Sequence, residues 1–239
     1  GASFALARQD EAAVAWLGRA STIFNDCGDS YGETVTRLWQ ALLWQWRGDG
    51  ARLERDVADL LGRVQTHGYE FVFRRPVLLG PPDPHALLPL LLWARGKGGL
   101  QGQIAQRLLS QLGLAHLETH PGYQLRVQTL GGLRLWRGTA EVAQGEWKRQ
   151  KARQLFLLLI THRHTLLERE QIVEQLWPEL PPEQGERDFK IAYTTLAKVL
   201  EPERDRQAPS AFIGRDGTRY GWRTEADVWL DAAEFEGWV

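Results

Sequence analysis

Residues 186–203 read ERDFKIAYTTLAKVLEPE, and the two faces of this stretch decide how the whole chain is understood. On an α-helix, residues three and four apart share a face, so Phe189, Ala192, Tyr193, Leu196, Val199 and Leu200 form one apolar arc. That arc predicts a buried face. Arg187, Ile191, Thr194 and Lys198 occupy the opposite arc, with Lys190 and Thr195 at its flanks. A merely solvated face is usually rich in Glu and Lys, whereas this one mixes cations, hydroxyls and one aliphatic side chain. Lys and Arg donate to guanine O6 and N7, Thr bonds several bases, and an apolar side chain can touch the thymine methyl. The outward arc has the chemistry of a groove-reading helix. A single exposed Ile is also ordinary on a helix, so the residues alone leave a solvated face equally open.

The chain around it is 239 residues long, enough for two domains with cores of their own. Hydrophobic residues at 43% and charged residues at 25% are globular proportions, which exclude a disordered chain. No apolar run is long enough to cross a bilayer. No charged segment followed by an apolar one marks the N-terminus for export, and a cytoplasmic location is expected. The single cysteine, Cys27, has no partner for an internal disulfide; lying in NDCGDS with no His beside it, it is expected to be buried or idle. The chain holds no Met and opens on Gly1, so a piece of a longer protein is expected. A net charge of −1 hides an uneven distribution. Residues 1–120 hold 12 basic and 12 acidic side chains, residues 121–224 hold 17 and 13, and residues 225–239 hold none and five. The positive field belongs to the middle block.

Ahead of that block the pattern is helical. In EAAVAWLGRASTIF the residues Ala13, Trp16, Leu17, Ala20 and Phe24 recur at three- and four-residue steps, and Gly28 follows as a C-cap. A second stripe runs through Leu38, Ala41, Leu42 and Trp46 to the turn Gly48-Asp49-Gly50, and a third through LERDVADLLGRVQTHG. RRPVLLGPPDPH is too rich in proline to continue a helix and is expected to link helical layers. Two short helices follow, and ETHPGY marks a boundary near residues 120–122. Antiparallel helices between Gly-Asp turns predict stacked hairpins of the solenoid kind, with a plain helical bundle as the alternative.

Beyond the boundary the period becomes two. YQLRVQTL alternates at Leu125, Val127 and Thr129, and GGLRLWRG at Leu133 and Leu135 after a Gly-Gly turn, predicting a small antiparallel sheet. WKRQKARQLFLLLITH is expected to be a helix with a basic first turn, LEREQIVEQLWPEL a second helix stopped before Pro178, and ERDFKIAYTTLAKVLEPE a third. Asp216-Gly217 predicts a hairpin between AFI and RYGW. Lys148, Arg149, Lys151 and Arg153, at the start of the first of these helices, and Arg215 and Arg219, in the hairpin, are candidate phosphate contacts. A solvated basic face is the alternative for KRQKAR.

The order of strands, three helices and a hairpin resembles a winged helix-turn-helix of the OmpR/PhoB type, and the wording is similar to SARP-like bacterial transcriptional activators. LRVQTLGGLRLWRG resembles that family's opening strands, and WKRQKARQLFLLLITHRHTLLEREQIVEQLWPEL its first two helices. RDFKIAYTTLAKVLEP resembles its recognition helix, FIGRDGTRYGW its wing, and ADVWLDAAEFE the junction into its helical activation domain. Ala13, Trp16, Leu17, Ala20 and Phe24 resemble the second helix of a tetratricopeptide (TPR) unit, with Arg8 standing where a small residue is usual.

These resemblances imply a mainly α fold with a small β component. Residues 1–119 would form a helical repeat (TPR-like) region, residues 123–224 a winged helix-turn-helix, and residues 225–239 the start of a truncated activation domain. They imply a regulator, an activator by family, that places its recognition helix in the major groove of double-stranded DNA, with the wing on backbone or minor groove. They also imply contact with RNA polymerase and a protein or signalling partner for the repeats. Relatives carry Arg where Thr194, Thr195 and Ala197 stand, which implies fewer guanidinium contacts to guanine here. The alternative function is a protein-interaction scaffold whose winged helix binds no DNA. His162 and His164 lack a third ligand at zinc spacing, the glycines of GGLRLWRG and GKGGLQG lack a phosphate loop's Lys-Ser/Thr, and no catalytic set is evident. Neither enzyme activity nor a cofactor nor a membrane partner is expected.

Overall fold

Glycine and aspartate punctuate the first half of the chain at a fixed interval. The computed structural model, which describes Ala2, Ala5 and residues 10–205 and 207–238, places α1 over Asp10–Cys27, α2 over Ser30–Arg47 and α3 over Gly50–His67. Gly28, Gly48 and Gly68 end them, each with φ near +70°, a left-handed state that costs other L-residues. After the first two glycines an aspartate caps the next helix. Asp29 Oδ1 accepts from the Gly32 amide at 2.9 Å, and Asp49 Oδ1 from the Arg52 amide at 3.1 Å. Two-residue connections of this kind fold consecutive helices onto each other. Twenty residues separate each glycine from the next, so a helix pair occupies forty, against about 34 in a TPR unit.

Two short 3-10 turns, Glu70–Phe73 ahead of the Pro-rich segment and Pro84–Leu87 at its end, precede α4 (Leu88–Lys97) and α5 (Gly99–Gln111). Leu38, Trp39, Leu42, Leu60, Leu61, Leu87, Leu90 and Leu91 fill the core of this unit. A polar seam joins α2 to α3. Trp44 Nε1 donates to the buried Asp56 carboxylate at 2.7 Å, Arg37 pairs with Asp59 at 2.7 Å, and Arg63 bridges Asp59 and Glu33. Two Trp of the apolar stripes lie outside the core, and of the two states expected of Cys27 the buried one does not hold. Trp16 is 47% exposed with Arg19 over its ring, while its stripe neighbours Ala13 and Leu17 take the buried positions in the core. Trp46 is only half-buried, and Cys27, on the last turn of α1, is exposed. Arg8 lies outside the described residues.

The chain divides into two compact units between Gly122 and Tyr123. In the second, β1 (Leu125–Gln128), β2 (Arg134–Arg137) and β3 (Ala140–Glu141) precede α6 (Gln150–Thr161). Next come β4 (Leu167–Glu168), α7 (Arg169–Leu176) and α8 (Pro182–Leu200). The hairpin β5 (Ile213–Asp216) and β6 (Arg219–Trp222), then β7 (Val228–Leu230) and α9 (Asp231–Glu236), complete the unit. One sheet has the order β3-β2-β1-β7, with β7 parallel to β1, and the other the order β4-β6-β5. Among the described residues the chain is thus mainly helical (59%) with 10% strand in two sheets, as the periodicities predict. Leu125, Val127 and Leu135 point from the first sheet into a core with Phe156, Phe189, Leu196 and Phe212.

Several boundaries differ from the sequence reading. Lys148 and Arg149 precede α6 instead of forming its first turn, because Lys148 takes a left-handed conformation (φ 43°) and Arg149 is the N-cap. The hairpin pairs Asp216 with Arg219, so its two-residue turn is Gly217-Thr218, one position later than expected. Gly217 (φ 59°) supplies the positive φ at the first turn position. Within the stretch 225–239, expected to open a further domain, the described residues 225–238 lie in the second unit. There β7 extends the sheet, and the Asp231 carboxylate accepts from the Thr129 and Leu130 amides at 2.8–2.9 Å and from the Thr129 hydroxyl at 2.9 Å. Burial pushes this carboxyl's pKa up, but those donors together hold it below the ordinary value.

Candidate nucleic-acid interface

Helix α8 is two-faced. Phe189, Ala192, Leu196, Val199 and Leu200 are buried and Tyr193 half-buried, while Arg187, Lys190, Ile191, Thr194 and Lys198 are exposed and Thr195 half-buried. Ala197 is buried (6% exposed), so its short side chain answers to packing and not to an outward contact. Gly185 lets α8 approach α7, since a Cβ there would stand 2.4 Å from Val173 Cγ1. The exposed hydroxyls are turned back on the helix. Thr194 Oγ1 donates to the Lys190 carbonyl at 2.8 Å and Thr195 Oγ1 to the Ile191 carbonyl at 2.9 Å, which leaves each oxygen as an outward acceptor.

Two shallow depressions run along this face where α8 meets the start of α6. The first, about 370 Å³, brings Lys148 beside Thr194, Thr195 and Lys198, with Glu146 at its wall. The second, about 240 Å³, brings Arg149 and Lys151 beside Ile191, with Asp188 at its wall. Lys148 and Arg149 are exposed there beside the first turn of α6, where the Ala152 amide donates to the Arg149 carbonyl at 3.2 Å. Lys151 is differently employed: its ammonium donates to the Leu176 carbonyl at the end of α7 and sits 5.5 Å from the Trp177 ring centroid. Arg153 is exposed on α6 but lines neither depression. Asp188, at the wall of the second depression, was not anticipated.

The hairpin is fixed to α8 by aromatic rings and by one acid. Tyr220 of β6 meets Phe189 edge to face at 4.9 Å and Tyr193 at 5.2 Å, and burial raises the Tyr193 phenol pKa. Glu201, directly after α8, stands where the helix dipole disfavours an anion. It is nevertheless buried, accepting from the Ser210 hydroxyl, from the Ala211 amide at 3.0 Å, and pairing with Arg204 at 3.6 Å. An acid at the C-terminal end of a helix was the signal that sequence reasoning passed over. At the hairpin tip Arg215 is exposed, donating to the Gly217 carbonyl at 3.1 Å above the Tyr220 ring, whereas Arg219 is paired with Asp216.

Among the described residues no group of three or more His, Cys, Asp or Glu is arranged to hold a metal, and no helix is long and apolar enough to cross a membrane. Compared with protein-family models, curated proteins and solved structures, the chain matches none.

Proposed function

We propose that the chain is part of a bacterial transcriptional regulator of the SARP-like kind. Its second unit, a winged helix-turn-helix of the OmpR/PhoB type, binds double-stranded DNA. Helix α8 enters the major groove with Lys190, Ile191, Thr194 and Lys198, and the β5–β6 hairpin is the wing, resting on the neighbouring backbone or minor groove through Arg215. Lys148 and Arg149 hold phosphates. Lys151 and Arg219, already engaged within the fold, contribute mainly to architecture, and Arg153, Arg187 and Thr195 flank the contact. The observation that carries this reading is the clustering of Lys148, Thr194 and Lys198 in one depression on an exposed helix face that a solvated surface would not need to shape. The helices of the first unit form a TPR-like stack that receives a protein or signalling partner, and the regulator works in the cytoplasm as an activator through RNA polymerase.

The competing reading is a protein-interaction scaffold. Asp188 beside Arg149, and the self-paired Arg219, favour it by reducing the field offered to phosphate. Selection from a random duplex pool separates the two. The regulator enriches a motif whose retention is lost in Lys198→Ala, whereas a scaffold retains no DNA from the pool.

A further inference from the structure

The first sheet of the second unit has one face in the core and one open to solvent, and the open face carries a row that the DNA-binding reading does not use. Arg126 of β1 stands in register with Trp136 of β2 on one side and Trp229 of β7 on the other. Its guanidinium carbon lies 5.4 Å from the Trp136 ring centroid and 4.7 Å from that of Trp229, so a planar cation lies between two half-buried indoles. The row continues on β2, where Arg134 stacks 4.7 Å from Trp136. The two arginines differ in one respect. Arg134 forms a two-pronged pair with Glu141 at 2.8 Å, whereas among the described residues the guanidinium of the exposed Arg126 makes neither an ion pair nor a hydrogen bond.

A guanidinium held between two rings still carries up to five N–H donors on its edge, and those of the exposed Arg126 are untaken among the described residues. That edge matches the two oxygens of a carboxylate, and the indoles present apolar area to whatever flanks it. We infer that this sheet face docks an acidic segment of a protein partner, a carboxylate seated on the Arg126 edge and an aliphatic or aromatic neighbour laid over Trp136 and Trp229. Nucleic acid is the poorer occupant. Arg134 is neutralised by Glu141, so the row offers one free cation, while a phosphate backbone is held by several. Trp and Arg together are the residues that dominate the centres of protein interfaces. The inner faces of this sheet and of α8 share one core, so an acidic partner on the sheet and a DNA duplex on α8 use different outer surfaces.

The test follows the indole N–H signals of Trp136 and Trp229 in the nitrogen-15-labelled chain during titration with a short peptide alternating Glu and Leu. Both signals are expected to shift together and to saturate. Arg126→Gln should weaken binding about tenfold or more, the worth of one charge-assisted pair, and Arg126→Lys should recover only part, because an ammonium lacks the flat forked edge. The proposal is overturned if the peptide leaves both signals in place, or if Arg126→Gln, with its sheet signals intact, binds as the parent does. It is equally overturned if oligothymidylate at moderate salt shifts them more strongly than the peptide, or if the shifts track protein concentration alone, as self-association would require.

Discussion

At the residue scale the exposed cations divide by what already holds them. Lys198 is exposed beside Lys148, while Lys151 caps α7 through the Leu176 carbonyl. Lys198→Ala should therefore weaken duplex affinity several-fold with the melting temperature unchanged. Lys151→Ala should lower the melting temperature and change affinity less; the reverse ranking would show that the roles are exchanged. In the first unit Asp56 receives the Trp44 indole N–H in a buried site. Asp56→Ala should cost about 1.5–3 kcal/mol, a hydrogen bond to a charged group, read as lost hydrogen-exchange protection in α2 and α3. Asp231 gives a pH dependence whose sign is fixed. Its folded pKa lies below the ordinary 3.8, so its contribution is present above that value and disappears as pH falls through the folded pKa. Acid unfolding of the parent should accordingly be steeper below that value than that of Asp231→Asn, and identical acid limbs would contradict this.

At the scale of elements, α8 is the segment whose nature was most legible in the sequence. A 3.6-residue period assigned its buried arc without further information, because each apolar position reports locally on the same face. Leu196→Ala should cost about 2–5 kcal/mol, while Ile191→Ala on the exposed arc should stay within roughly 0.5 kcal/mol, both measured by urea unfolding. Strands β1 and β2 were legible for the same reason, with a period of two. β4 and β7 were not. They are two and three residues long, and their identity comes from partners distant in sequence, Leu167 with Tyr220 and Leu125 with Val228. The site was legible on α8 itself, but not in the arrangements that require tertiary contact: Lys151 on the Leu176 carbonyl, Asp188 beside Arg149, and Glu201 joining the helix to the turn before β5. Glu201→Gln should loosen that junction, lowering hydrogen-exchange protection in β5 by the equivalent of about 1–3 kcal/mol while protection in β1 and β2 persists. A uniform loss across the unit would mean that Glu201 serves the whole core.

At the scale of the whole molecule, the two units differ in chemistry. The first balances its charges and stabilises its helix pairs with Gly-Asp turns and an ionic seam. In the second the excess of cations is confined to residues 123–224 and is offset by the five acidic side chains that follow, and the unit presents an exposed helix, a hairpin anchored by aromatic rings, and an open sheet face. Such a division suits a regulator that receives a signal through one unit and holds DNA with the other. The proposed binding of a duplex by α8 and the positions around Lys148 rests largely on phosphates. It is tested most directly by fluorescence anisotropy of a labelled mixed-sequence duplex titrated with the chain at two salt concentrations. With about four phosphates contacted, affinity should fall roughly a hundredfold between about 50 and about 200 mM salt. Absence of binding at the lower salt, or an affinity indifferent to salt, would contradict it.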